Sequence, residues 1–376
     1  MTNPLLDDAL IEVVGRDEIH TNLDHADAAP ASLRAATAAF DALALSAPAS
    51  AVGTARRRAG EFVGARVDDS VIFSHNATEA INVLAQAVRG DAIVLDIEHH
   101  GNLLPWLGKG ARILPVGRSI DELLALLAYE LRSRSAAIVA VTGASHVTGE
   151  RLPLRSIAAL VHRHGARLAV DGVHLVPHRG VDIAADDIDY LVYSARTLSA
   201  GSGVGVLVGR SDWLDSARPR SLGSGAAVHV GHDRIDWATG PARHEAGSTN
   251  VSGVLALAAA VEQFDELGLD RIARHGEALR SALVRGLRSI DGVTLLRLFS
   301  DSADPVPIVG FSIDGVDSRR AVEQLRSRRR ILVGDGLDTA HLLRERLGGS
   351  SIRASFGLGS SAADVDNLLD AIAELT

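Results

Sequence analysis

Apolar positions along this chain fall into short continuous runs and longer runs at helical spacing, and the two kinds interleave over the first two thirds. The continuous runs Val67–Phe73, Ala92–Asp96, Ala111–Val116, Ala136–Thr142, Leu168–Asp171 and Tyr190–Tyr193 read as strands, mostly buried on both faces. Helical spacing places helices at Met1–Gly15, Ser32–Leu45, Thr54–Val63, Thr78–Val88, Ile120–Arg132 and Ile157–His164, with an extended piece at Thr21–Pro30. Strands separated by helices predict a mostly parallel α/β sheet. The stretch Leu168–Leu207 organises it, reading strand, loop, strand, tight polar turn, strand. Its first two strands end in Asp171 and Ser194, on the carboxyl edge where parallel sheets place ligands.

After a long helix beginning at Val254 the pattern changes. Short strands at Val293–Leu296, Ile308–Ile313, Ile331–Val333 and Ile352–Ser355, with helices Arg319–Arg328 and Ala362–Glu374, suit a smaller α+β domain. The expected division is a large domain over 17–253 and a small one formed by 1–16 and 254–376. No internal repeat or low-complexity segment interrupts either.

Composition narrows the chemistry. The 376 residues are 47% hydrophobic and 23% charged, ordinary for a globular α/β protein. A net charge of -9 argues against nucleic acid or an anionic membrane as partner. No apolar run is long enough to span a bilayer, and Met1–Val14 has no basic leader segment, so a cytoplasmic protein is expected. Cysteine is absent, which excludes disulfides, thiolate metal sites and cysteine nucleophiles. Lys109 is the one lysine among 38 basic residues, a bias that reads as genome composition. Only that side chain could form a Schiff base.

Several short motifs carry candidate chemistry. Ser74-His75-Asn76-Ala77-Thr78-Glu79-Ala80-Ile81-Asn82 reads as a strand-to-helix turn whose N–H groups suit a phosphate, although the same residues also make an ordinary helix cap. Downstream lie Asp96-Ile97-Glu98-His99-His100-Gly101-Asn102-Leu103-Leu104-Pro105-Trp106, then Ser145-His146-Val147-Thr148-Gly149-Glu150, then Val170-Asp171-Gly172-Val173-His174. Ser194-Ala195-Arg196-Thr197, Glu245-Ala246-Gly247-Ser248-Thr249-Asn250 and Arg353-Ala354-Ser355 complete the series.

Taken in order, with Asn22-Leu23-Asp24-His25-Ala26-Asp27 at the start, these motifs resemble the class V aminotransferase and cysteine desulfurase family, fold type I of the pyridoxal phosphate (PLP) enzymes. The resemblance runs from Leu23 to Leu368. It implies that Ala77, Thr78, Ser194 and Arg196 cradle the cofactor phosphate, that His99 stacks on the pyridine ring and that Asp171 pairs with its nitrogen. It implies His25 at the mouth of the site, Arg353 gripping a substrate carboxylate, and a homodimer in which Ser248 and Thr249 reach the phosphate of the neighbouring subunit. The substrate class is a small amino-acid-type molecule.

The chain departs from the family where chemistry is concentrated. The Schiff-base lysine position holds Thr197, its neighbouring His is Arg196, the family's Gln is His174 and its Asn is His146. In the segment Gly334-Asp335-Gly336-Leu337-Asp338-Thr339, the family's Arg is Gly334 and its nucleophilic Cys is Thr339. Persulfide-forming desulfuration is therefore excluded. Three readings follow. PLP or its amino form, PMP, binds noncovalently with His146 or His174 as base, Thr197 counting with them as a catalytic position and His174 also meeting the cofactor. Alternatively His99, His146, His174 and Asp171 converge on a transition metal. In the third, the chain is a non-catalytic subunit that needs no cofactor.

Overall fold

The computed structural model describes residues 9–14, 21–44 and 49–376. A seven-stranded sheet forms its centre. In chain order the first elements are β1 (Thr21–Asn22), α1 (Leu33–Ala44), α2 (Ala49–Glu61), β2 (Asp69–Ser74), α3 (Ala77–Ala87), β3 (Ala92–Leu95) and α4 (His100–Leu107). They are followed by β4 (Arg112–Leu114), α5 (Ile120–Ser133), β5 (Ile138–Thr142), α6 (Leu154–Arg163), β6 (Arg167–Asp171), β7 (Tyr190–Ser194) and β8 (Gly205–Arg210). The sheet order is β2-β8-β7-β6-β5-β3-β4. Only β8 runs against its neighbours, pairing antiparallel with both β2 and β7.

The apolar runs form strands because both faces are covered. Leu168, Val170, Val139 and Leu191 enter one core with Leu127, Ile157 and Val161. The alternating positions Ala169, Ile138 and Val192 enter a second core with Ile81, Leu84 and Trp106. Successive side chains of a strand thus serve opposite layers. The expected mostly parallel α/β sheet is what forms.

After α7 (Ser211–Ser216) and the hairpin β9 (Ala227–Val230) and β10 (Ile235–Trp237) come α8 (Val251–Leu267) and α9 (Leu269–Leu287). The small sheet joins β11 (Val293–Leu295), β12 (Ile308–Ile313) and β14 (Ile352–Ser355), all antiparallel. Helix α10 (Ser318–Arg329), strand β13 (Ile331–Leu332) and helices α11 (His341–Arg346) and α12 (Ala362–Ala373) complete it. Leu279, Leu283, Phe311, Leu325, Ile352 and Leu368 share its core.

Two segments pack across the expected division. Helix α8, expected to open the small domain, instead buries Val254, Leu257, Val261 and Phe264 in the large-sheet core. Conversely Thr21–Asn22 pairs with Ile331–Leu332, and Leu23 lies in the small core, so this early segment packs with the end of the chain. Of the expected helix Met1–Gly15, residues 1–8 and 15 lie outside the described residues. Residues 9–14 are not helical, and Val13 forms a bridge with Ser32. No helix among the described residues is long and apolar enough to cross a membrane.

Candidate active site

The carboxyl ends of β3, β5, β6 and β7 converge where the parallel strands stop, and most of the expected residues sit there. Thr142 pairs in register with Asp171, and Asp171 with Val192. The Asp171 carboxylate is buried, and one oxygen accepts from the Val173 N–H at 3.1 Å. No hydrogen bond from the described residues reaches the other. Burial pushes its pKa up to about 6 against the Val173 bond, which favours the anion.

Glu98 is the site residue to which the sequence assigned no role. It is fully buried, accepting from Asn102 Nδ2 at 2.7 Å and from the Thr142 N–H at 2.9 Å, while Asn102 in turn accepts from Trp106 Nε1 at 3.1 Å. Burial, with Asp171 nearby, pushes its pKa to about 8 despite those bonds. At neutral pH Glu98 therefore holds a proton, and Asp171 carries the charge of the pair. The signal was a carboxylate immediately before a His pair at a strand end.

His99 caps α4, its Nδ1 accepting from the Gly101 N–H at 2.9 Å, so the proton of the neutral ring sits on Nε2. Gly101 permits this close approach: a Cβ there would lie 2.8 Å from Thr78 Oγ1 and 3.0 Å from His99 Nδ1. Burial lowers the His99 pKa to about 4, helped by His100 and Arg353. The His146 ring stands edge-on to His99 with centroids 5.2 Å apart, and His174 lies 5.9 Å from His146. His146 is buried, and its Nε2 has no hydrogen-bond partner. Burial first, and neighbouring imidazoles and Arg353 next, hold both His146 and His174 well below the ordinary histidine pKa. All three rings are neutral at pH 7.

Above this floor, α3 presents its N-terminus. Asn76 caps it by accepting from the Glu79 N–H at 2.8 Å, while the N–H groups of Ala77 and Thr78 have no acceptor among the described residues. Asn76 thus supplies the cap, and the next two donors are left free, as the first N–H groups of a helix are.

A model of the family described as aminotransferase class-V matches residues 42–368. This chain belongs to the class V aminotransferase family. A probable cysteine desulfurase of Vibrio cholerae is 30% identical over 331 residues, spanning 85% of this chain and 81% of the relative. A cysteine desulfurase of Synechococcus elongatus is also 30% identical, over 85% of this chain and 52% of its own length. The cysteine desulfurase CsdA of Escherichia coli, solved as its S-sulfonic acid, superposes with a TM-score of 0.86 at 27% identity, covering 94% of both chains. The fold is that of the fold type I PLP enzymes.

Measured against that family, several expected residues are committed elsewhere. The Thr197 hydroxyl, where the resemblance puts the family's lysine, donates to the Val173 carbonyl at 3.0 Å and lies 3.3 Å from the Ser194 carbonyl, so it ties two loops together. Ser194 turns its oxygen to the Arg196 N–H at 3.2 Å. Arg196 itself, expected in the phosphate cup, pairs with Asp27 at 2.7 Å on the surface.

Arg353 does reach the histidine cluster, donating to the His146 carbonyl at 3.3 Å, but its other terminal nitrogen pairs with Asp24 at 2.5 Å. The change at 334 makes room for that pair. A Cβ on Gly334 would lie 2.7 Å from Arg353 Nη2 and 2.8 Å from Asp24 Oδ1. The expected carboxylate grip is thus already closed by a carboxylate of the chain.

His25 is not at an open mouth. It is buried against Gly357, with Nε2 3.3 Å from Ser360 Oγ, and burial lowers its pKa to about 4. Ser248 and Thr249 are exposed and line a cavity of about 70 Å³ with His75, Glu79 and Glu245. Lys109 bonds the Ala85 and Val88 carbonyls at the far end of α3 from Thr78, roughly 15 Å along the helix. It lies away from the carboxyl edge where Asp171 and the histidines gather. Among the described residues no three His, Cys, Asp or Glu side chains converge to hold a metal, so the arrangement expected of His99, His146, His174 and Asp171 as ligands does not form.

Proposed function

We propose that this family member is a cytoplasmic, homodimeric enzyme that binds PLP or PMP without a covalent link to the chain. It acts on a small amino-acid-type substrate, with His146 as the proton-transferring base beside His174. The reaction is of the lyase, dehydratase or transferase type. The observation that carries this reading is two uncommitted polar groups at the sheet edge: the second oxygen of Asp171, a buried residue, which accepts no hydrogen bond from the described residues, and the buried Nε2 of His146. Buried groups of this kind cost free energy unless a ligand answers them. PLP offers the matching set, a pyridine nitrogen, a phenolic oxygen and a phosphate.

When bound, PLP supplies an electron sink for charge developing at the substrate Cα. Asp171, ionised above about pH 6, would hold a proton on the ring nitrogen. Glu98 stays protonated beside it and so leaves that single charge undivided. The N–H groups of Ala77 and Thr78 would take the phosphate, and His99 would pack on the ring. His146, neutral and shielded from water, is able to accept a proton without first losing one. The relatives' printed activity does not transfer in its persulfide form, because the chain has no cysteine and Thr339 stands at the thiol position.

The internal pairing of Arg353 with Asp24 and of Arg196 with Asp27 favours a second reading, a non-catalytic relative whose anion grips have been closed. Proton exchange separates the two. Incubated with PLP in deuterium oxide, the protein is expected to wash out the Cα proton of at least one small amino acid faster than PLP alone, followed by proton nuclear magnetic resonance. Exchange no faster than free PLP across the set of amino acids would leave the non-catalytic reading standing.

A further inference from the structure

A second cavity, of about 310 Å³, opens in the small domain between α9, the end of β11 and the loop Thr148–Glu150. That volume is enough for a small metabolite. Four arginines line it: Arg280 and Arg285 on α9, Arg288 at its C-terminal cap, and Arg297 after β11. The last three have no ion-pair partner among the described residues, and Arg280 has only Glu277, at 3.8 Å. The C-terminus of α9 accounts for basic residues at 285 and 288, but not for those at 280 and 297.

Glu150 on the wall offsets part of this charge but forms an ion pair with none of the four. Both oxygens of Glu150 are taken up, by the Leu298 and Phe299 N–H groups at 2.6 and 3.1 Å and by the Ser302 hydroxyl at 2.6 Å. Two buried polar atoms have no partner: Thr148 Oγ1, on a residue only 5% exposed that lines the cavity, and Nε of Arg280. Burial lowers the Arg280 pKa, and the charges of Arg297 and Arg288 add to that while Glu277 and Glu150 oppose it. The lining thus sets four guanidinium groups against one carboxylate, an excess of positive charge that suits an anion.

We propose that this cavity is a binding site for a small organic anion bearing two or more phosphate or carboxylate groups, held by Arg280 and Arg297 with Thr148 as a further hydrogen-bonding group. Planar guanidinium groups match both oxyanions. The site does not depend on PLP, and it touches the loop that carries His146 two residues from Thr148.

Calorimetric titration of the full-length protein with pyrophosphate, and separately with citrate, tests this. Saturable binding of one anion per chain is expected with at least one probe, and the tighter probe identifies the oxyanion class. Arg280→Gln and Arg297→Gln should each weaken it about tenfold or more, and Thr148→Val should weaken it measurably. Arg297 is exposed, so its variant should fold even if the Arg280 variant does not. No saturable binding with either probe, or an affinity unchanged by Arg297→Gln, would overturn the proposal; the latter would place the anion at another site such as the α3 N-terminus.

Discussion

His146→Ala is expected to slow substrate Cα proton exchange by about 10²–10⁴-fold while leaving the affinity for PLP within a few-fold. The ring is buried, its Nε2 is free, and its depressed pKa keeps it a proton acceptor at neutral pH. His174, 5.9 Å away, has the same electrostatic character and would retain part of the rate, so the double variant should fall further than either single one. His146→Asn restores the family's own residue and should bind PLP as the parent does yet exchange as slowly as the alanine variant. The pH profile adds an independent readout. Because the histidines are already deprotonated, the acid limb should follow Asp171, falling near pH 6 where the ligand-free protein governs the rate and lower once a protonated ring nitrogen pairs with it. An acid limb that moves with His146 substitution but not with Asp171 substitution would contradict this assignment.

Asp171→Asn should act in opposite directions on binding and on folding. Removing the charge that answers the pyridine nitrogen should weaken PLP binding by about 1.5–3 kcal/mol, roughly ten- to a hundredfold. The ligand-free protein should nevertheless become more stable. Folding raises the Asp171 pKa from 3.8 to about 6, so the folded state binds this proton more tightly than the unfolded state. The residue therefore costs stability that accumulates as pH rises from about 4 to 6 and persists above it. Asparagine removes that cost, a gain of about 1–3 kcal/mol at pH 7 that vanishes near pH 4. Urea unfolding midpoints at the two pH values check it. A variant less stable than the parent at pH 7 would mean that Asp171 has a partner the geometry does not show.

The sheet was legible because its strands are continuous apolar runs punctuated by polar residues at their carboxyl ends, and Asp171 and Ser194 stand where that rule puts them. His99, His146 and His174 were legible as a group because their motifs follow three strands that the parallel order brings together. What sequence spacing does not carry is where a long side chain turns. Arg196 and Arg353 occupy the right backbone positions, but each finds an aspartate from the segment Asp24–Asp27, about 170 and 330 positions away in the chain. The same blindness hid the burial of His25, which depends on Gly357 having no side chain. Which residues helix α8 packs against was not legible, because its apolar face looks the same from sequence whichever core it enters. Glu98 was passed over because a carboxylate inside a motif gives no sign that burial will keep it protonated.

The central claim, a PLP site that works without a chain amine, is tested most directly by borohydride reduction of the PLP-loaded protein followed by intact-mass and peptide analysis. The expected result is saturable binding with an altered cofactor spectrum, full release of the cofactor on denaturing the reduced protein, and an unmodified Lys109. A pyridoxyl adduct on Lys109, or no PLP binding at all, would contradict the account.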